Sequence, residues 1–470
     1  MTTMTSNYIG KATSRVDGRE KVTGAAKYAG EFHVPNLTYG VVVSSAIAKG
    51  RITRIDASDA LNLEGVLQVF THENAPRQAW LDHSYKDDDS VKGSPFRPLY
   101  DAEIKFSQQP VALVVAETFE IARYASSLVR VEYEVEQHET DLEAKRHSGY
   151  EAPNGKSGYQ KPPPPRGDAD KAFDNAPVKI RYEYKHGAEH HNPIELFTST
   201  VVVEENDKYI VYDKTQGVCN SQQYINKVFN LKQGQARVLS PYMGGGFGSG
   251  LRPQYQLFLA MLAAKALRRS VRVTLTRQQM FSFGHRPATL QTLALGASPD
   301  GNLEAVIHEA LSETSQFEDY TEVIVNWSGL LYQCDNIRLE HYLTKLDVFT
   351  PLDMRAPGAA TGVYALECAM DELAYAVGID PLELRLKNYT ERDQNVHNRP
   401  FSSKELRECY RQGAERFGWH QRNPAPRSMR KGNVLVGWGM ASGVWDAFQK
   451  KAAAKAVLSA DGKLIVSSAT

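Results

Sequence analysis

The sequence predicts a mixed α/β (α+β) protein of more than one domain, and three features carry that expectation. Short β-branched runs alternate with helical periodicity over the N-terminal third. A proline-rich break follows between Glu151 and Asp168. Beyond it, an alternating strand leads into segments with apolar residues at helical spacing. The 470 residues also exceed what one compact core holds, since domains run to about 150 residues.

In the first segment Leu37 to Ala46 is apolar and β-rich, and Ile52 to Ile55 and Val66 to Thr71 are short strand candidates between turns. Gln109 to Ala116 is short, apolar and β-branched, which marks a buried strand. Thr118 to Leu128 follows with Ile121, Ala125 and Leu128 at helical spacing, and Val129 to Val135 alternates as a strand. These three form an α/β module. Four consecutive prolines, Pro162 to Pro165, make the break a semi-rigid extended linker rather than a ligand for a proline-binding domain. Past it, Val178 to Tyr184 alternates as a strand, and a helix is expected from about Pro253 to Leu267. Gly362 to Val377 places Val363, Leu366, Met370, Leu373 and Val377 on one buried stripe. Asp380-Pro381-Leu382-Glu383 reads as an N-cap, a proline in the first turn and a capping-box acid. Ala452 to Leu458, Asp461-Gly462 and Leu464 to Ser468 read as a hairpin.

Composition narrows the function classes. Lys and Arg number 55 and Asp and Glu 55, so there is no basic excess of the kind nucleic-acid and membrane surfaces use. No apolar run approaches the roughly 20 residues that span a bilayer. Met1 to Lys11 is polar, so no cleaved secretory signal is expected. Cys219, Cys334, Cys368 and Cys409 are scattered without a C-x-x-C pair, which argues against a zinc ribbon or iron–sulfur site and for reduced thiols. The expected compartment is therefore the cytoplasm.

Four motifs carry chemistry. The run Gly244-Gly245-Gly246-Phe247-Gly248-Ser249-Gly250 before a helix suits close approach to an anion, or a tight turn. It lacks the Gly–Lys–Ser/Thr ending of a nucleotide P-loop and the spacing of a dinucleotide fingerprint. His186, His190 and His191, with Glu189 and Glu195, offer a weak zinc-hydrolase alternative that the following Asn192-Pro193 disfavours. Arg355, within Asp353-Met354-Arg355-Ala356-Pro357-Gly358, is an anion-binding candidate or a surface ion pair. Gly437 to Gly443 is a second small-residue run, admitting either a bulky cofactor or a close-packed strand.

Taken together and in order, these segments resemble the xanthine oxidase / aldehyde oxidoreductase family of molybdenum hydroxylases, in particular the bacterial branch of the periplasmic aldehyde oxidoreductase molybdenum-binding subunit. Arg15-Val16-Asp17-Gly18 through Lys21-Val22-Thr23-Gly24, Ala26-Lys27-Tyr28 and Phe106 to Ala116 are similar to the family's α/β hammerhead domain. Glu189-His190, Asn192-Pro193, Glu195, Thr215-Gln216, Met243 to Gly248, Met354 to Gly358, Glu367 to Ala374 and Asp380-Pro381 follow in the family's order. The resemblance implies a hammerhead domain at 12–148, a linker at 149–172, a first molybdopterin-binding domain at 173–400 and an incomplete second one at 401–470.

It also implies molybdopterin cytosine dinucleotide as cofactor, its molybdenum held by the pterin dithiolene and by no side chain. Gln216, Gly245, Gly246, Phe247, Gly248, Arg355, Ala441, Ser442 and Gly443 are the implied cofactor contacts. Aldehydes would be oxidised to carboxylic acids with water as oxygen source, and electrons would pass to partner subunits carrying [2Fe-2S] and FAD. Purine-oxidising relatives carry a glutamine, an acid and a phenylalanine where Ala188, the Ser249-Gly250-Leu251 stretch and Pro357 stand here, so a xanthine-type activity is the lesser alternative. The family's general-base glutamate is expected beyond residue 470. The isolated chain is accordingly expected to be a truncated, inactive polypeptide, or a cofactor-binding half needing a separate C-terminal half. Export to the periplasm bound to a partner is the alternative to a cytoplasmic location.

Overall fold

The computed structural model describes residues 10–79, 82–151, 161–446 and 451–468. The N-terminal module contains β1 (Thr38–Ser44), β2 (Gly50–Asp56), β3 (Val66–Thr71), β4 (Pro110–Ala116), α1 (Phe119–Leu128) and β5 (Arg130–Val135). Every residue of β4 is buried, as its unbroken apolar run requires. Alternate side chains serve two cores: Leu113 and Val115 join the main one, and Ala112 and Val114 pack with Ala125 of α1. Thr118 caps α1 by accepting from the Ile121 N–H at 3.2 Å, so the helix starts where the threonine stops competing for its own backbone.

The chain continues through β6 (Val178–His186), β7 (Thr198–Glu204), β8 (Lys208–Asp213), α2 (Val218–Phe229), β9 (Ala236–Leu239), α3 (Tyr255–Leu267) and β10 (Val271–Thr274). One seven-stranded sheet, in the order β9-β8-β7-β10-β1-β4-β3, joins strands from both sides of the proline-rich segment. The seam is the parallel pair β1–β10, with Thr38 opposite Val271. Helix α3 is apolar on all sides and buried from Tyr255 to Ala264, so it lies inside the main core against β7 and β10.

A second sheet contains the two-residue strand Tyr150–Glu151, then β11 (Thr289–Ala297), β12 (Leu303–Ser315) and β13 (Ile337–Leu346) together with β6. Helix α4 (Ala359–Val377) covers it, contacting β6 and β11. Val363, Leu366, Met370 and Leu373 are buried as their spacing predicts, and the helix begins three residues earlier than Gly362, directly after Gly358 at φ 78°. Helices α5 (Pro381–Lys387) and α6 (Leu406–Phe417) follow.

Asp380 caps α5 through the Leu382 N–H at 2.8 Å, but the expected capping box is not formed: Glu383 is exposed and takes no part among the described hydrogen bonds. The Asp380 carboxylate instead also accepts from Trp419 Nε1 at 3.1 Å and Arg422 at 2.6 Å. The expected hairpin is present as β14 (Ala454–Leu458) and β15 (Leu464–Ser468), with Val457 opposite Ile465 and every residue exposed.

Of the proline-rich segment, residues 152–160 lie outside the described residues. From Lys161 onwards it is fastened to the second sheet. Its carbonyl accepts from Asn326 at 3.1 Å, Arg166 bridges to Ile337, and the Arg166 guanidinium reaches the Cys334 carbonyl at 3.1 Å. No helix among the described residues is long and apolar enough to cross a membrane, and all four cysteines are free.

Candidate cofactor-binding site

The glycine run is the connection from β9 to the buried helix α3, so its far end is rigidly held. It is clamped from two sides. On one side Gln216, just past β8, accepts from the N–H groups of Gly248 at 2.9 Å and Gly250 at 3.2 Å, while its own N–H donates to the Gly250 carbonyl at 2.7 Å. On the other, the Arg355 N–H donates to the Phe247 carbonyl at 2.9 Å, and Arg286 donates to the Arg355 carbonyl at 2.9 Å. The structure thus brings Gln216, Gly245, Gly246, Phe247, Gly248 and Arg355 to one place.

The backbone demands glycine at Gly248, and a side chain at Gly246 would have to displace Gln216 from its clamp. A Cβ on Gly246 would lie 2.6 Å from the Gln216 carboxamide, and one on Gly248, at φ 103°, would lie 2.0 Å from the Asp353 carbonyl oxygen. Phe247 adopts φ 54° with a half-exposed ring, a backbone state that costs about 1 kcal/mol or more and persists because both flanking clamps hold it.

What this leaves open is a set of donors. Among the described residues, the N–H groups of Gly245, Gly246 and Phe247 donate to no protein acceptor. The Gln216 amide nitrogen and the exposed Arg355 guanidinium likewise have no partner among them. Successive free N–H groups beside a free cation form an anion-binding concavity. A cleft of about 550 Å³ opens beside Gln216, bounded also by Arg15, Lys21, Cys219 and Met243, within the roughly 300–1,000 Å³ of small-molecule sites. The donor set fits an anionic pterin nucleotide, and Gln216 is the member of it that also lines the cleft.

Carboxylates around the loop are already engaged. Glu195 accepts from the N–H groups of Gly244 at 2.7 Å and Ala29 at 3.1 Å, and burial raises its pKa above the usual range. Glu189 pairs with Arg286 at 2.6 Å, and Glu322 accepts from the Gly358 N–H at 2.7 Å.

Ala441, Ser442 and Gly443 form a strap anchored elsewhere. The Ser442 N–H donates to Glu367 at 2.6 Å, and its hydroxyl meets those of Tyr332 at 3.2 Å and Tyr410. Glu367 also accepts from Tyr332 at 2.5 Å and from Arg385 at 2.8 Å, the latter wholly buried. Among the described residues, none of the strap's hydrogen bonds reaches the glycine loop. The two are linked through α4, which starts four residues after Arg355 and carries Glu367. Sequence reasoning missed this network because Glu367 and Arg385 carry charges, which reads as surface.

The zinc reading fails on geometry. Glu189–His190 is a two-residue strand, not a helix, so neighbouring histidines face apart: His190 is exposed and His191 buried. His191 is turned to the Asp353 carbonyl at 2.9 Å, and burial lowers its pKa to about 4. Among the described residues no group of three or more His, Cys, Asp or Glu side chains is placed to hold a metal.

A hammerhead-type module followed by a glycine-loop cofactor region defines a class, and sequence comparison gives the same one. The family model for the aldehyde oxidase and xanthine dehydrogenase a/b hammerhead domain matches residues 23–137, and that for the molybdopterin cofactor-binding domain matches residues 152–389. The chain belongs to the molybdopterin-binding aldehyde oxidase / xanthine dehydrogenase family. It is 38% identical over 467 residues to the aldehyde oxidoreductase molybdenum-binding subunit PaoC of Escherichia coli strain K12, covering 97% of this chain and 61% of that one. It is 28% identical over 469 residues to the putative xanthine dehydrogenase molybdenum-binding subunit XdhA of the same strain, covering 97% and 62%. The aldehyde oxidoreductase structure from Desulfovibrio gigas shares the fold, with a TM-score of 0.77 at 24% identity, covering 96% of this chain and 51% of that one. The chain thus spans 61% of the length of the first of these curated relatives.

Proposed function

We propose that this chain forms the loop side of the molybdenum cofactor site of an aldehyde-oxidising hydroxylase. The observation that carries the reading is the row of free N–H groups at Gly245, Gly246 and Phe247, held open between Gln216 and Arg355. The cofactor, as molybdopterin cytosine dinucleotide, supplies two-electron oxidation of an aldehyde to a carboxylic acid with oxygen from water. Gln216 offers its amide N–H groups to the pterin, and Arg355 binds phosphate or pterin oxygen through its guanidinium. The loop N–H groups would donate to oxygen atoms of the bound group, and Phe247 would offer it a half-exposed ring. Ala441, Ser442 and Gly443 flank the dinucleotide, and the Glu367 network keeps that strap in place.

Small and apolar groups at Ala188, Leu251 and Pro357 favour aldehydes over purines, because a purine ring edge left without polar partners binds weakly. By the family resemblance the general base comes from outside these residues, and Glu189, Glu195 and Glu322 are each engaged in structural hydrogen bonds. Reduction of iron–sulfur and FAD subunits completes turnover.

The test is metal and nucleotide analysis of the chain purified with such partners. Molybdenum and acid-released CMP near one per chain, with aldehyde-dependent turnover in the complex and none in the isolated chain, is the expected result. A folded complex with neither molybdenum nor CMP overturns the cofactor assignment, and preferential oxidation of purines overturns the substrate assignment.

A further inference from the structure

Behind the loop lies a fully buried lysine. Lys214 follows the last residue of β8, and its side chain is 1% exposed. Its Nζ donates to Ser249 Oγ at 2.6 Å, and Ser249 Oγ donates to the Gly246 carbonyl at 2.8 Å. The Phe197 ring lies 4.9 Å below the ammonium. Two carboxylates, Glu195 and Asp213, are near enough to favour the charged lysine. Both are spent on other donors: Asp213 on Ser199 at 2.6 Å and Ser221 at 3.2 Å, Glu195 on the two backbone N–H groups already described. Among the described residues no carboxylate oxygen comes within ion-pair distance of Nζ. Burial lowers Lys214 to about 8 and raises Asp213 to about 6.

Burying an ammonium without a direct counter-ion is costly, and proteins that keep one give it a partner or a ligand. Here the ammonium is attached, through one hydroxyl, to the carbonyl of Gly246, whose N–H has no protein acceptor among the described residues. We infer that Lys214 is a positioning residue of the cofactor site: through Ser249 it fixes the Gly246–Gly248 turn, and its buried charge balances the anionic group bound on the turn's other face. The inference rests on the cofactor reading above. Gln216 and Lys214, two positions apart, then divide the work. Gln216 holds the Gly248 and Gly250 N–H groups from one side, and Lys214 holds the Gly246 carbonyl from beneath.

The test compares wild type, Lys214→Met and Ser249→Ala in the full chain, by amide hydrogen exchange, and in the complex with its electron-transfer subunits, by molybdenum retention and redox titration. Either substitution should speed exchange at Gly248, Ser249 and Gly250 about tenfold, the effect of losing one charge-assisted hydrogen bond. Lys214→Met should also release molybdenum about tenfold faster on dialysis and lower its midpoint potentials, because the lost positive charge no longer favours the reduced, more negative state. Ser249→Ala keeps the charge and should leave the potentials unchanged. Wild-type exchange, retention and potentials in Lys214→Met overturn the inference. If that variant does not fold, wild-type exchange and retention in Ser249→Ala overturn it instead. A wild-type complex without molybdenum refutes the cofactor assignment separately, and the exchange comparison then still decides whether Lys214 positions the loop.

Discussion

The glycine loop and the Ala441–Gly443 strap are both runs of small residues, yet the protein fixes them by opposite means. The loop is held through its backbone, by Gln216, Arg355 and the Lys214–Ser249 pair, and its own side chains are nearly absent. The strap is held by one side chain and one N–H, at Ser442, which sink into a charged network under α4. Beyond the strap every described residue of the hairpin β14–β15 is exposed, Val457, Leu464 and Val466 among them. Polar anchoring therefore falls off from loop to strap to hairpin, and the difference lies in how many buried polar groups each segment satisfies rather than in its composition.

The comparison breaks most severely at Glu367. Glu367→Ala leaves wholly buried Arg385 with Asp371 as its remaining carboxylate and strips the acceptor from the Ser442 N–H. A loss of about 3–5 kcal/mol is expected in urea denaturation, with the strap becoming susceptible to proteolysis before the loop does. Equal protection of strap and loop in this variant would refute the separate anchoring.

Gly248→Ala should act on the loop alone. Its Cβ meets the Asp353 carbonyl at 2.0 Å in a left-handed backbone, so a cost of about 3 kcal/mol and loss of cofactor are expected while the strap keeps its protease resistance.

A third prediction concerns pH. Burial raises the pKa of Asp213 to about 6, above its unfolded value of 3.8. The protonated form thus favours the fold, and that stability is complete below the unfolded value and lost as pH rises through about 6. The stability difference between wild type and Asp213→Asn should accordingly shift by about 3 kcal/mol across this window, in favour of the asparagine as pH rises. Parallel pH–stability curves for the two proteins would count against a buried, raised Asp213. The smallest effect is expected in the hairpin, where Val466→Lys should change the stability of the chain by less than about 0.5 kcal/mol because the side chain is already 63% exposed.

How much of this was legible before folding depends on whether the signal was local. The buried strand at Pro110–Ala116, the helix stripe ending at Val377, the Asp380 cap and the closing hairpin each follow from periodicity or turn chemistry within a few residues. The glycine loop was legible because glycine is the residue that a close backbone approach leaves possible. Glu383 was misread as a capping acid because the Asp380 carboxylate is shared with Trp419 and Arg422, about forty residues downstream. The cluster of His186, His190 and His191 offered a zinc alternative, and strand geometry separated His190 from His191.

The sequence by itself determined a mixed α/β chain of this family, the order of its elements and the glycines that a cofactor loop demands. Tertiary structure alone decided which polar residues are internal. Lys214 reaches Ser249 across 35 residues and Ser442 reaches Glu367 across 75, and no local pattern marks either side chain as buried. The physical reason is that hydrophobic periodicity is written along the chain, whereas the compensation of a buried charge is made between segments that meet only when the core closes.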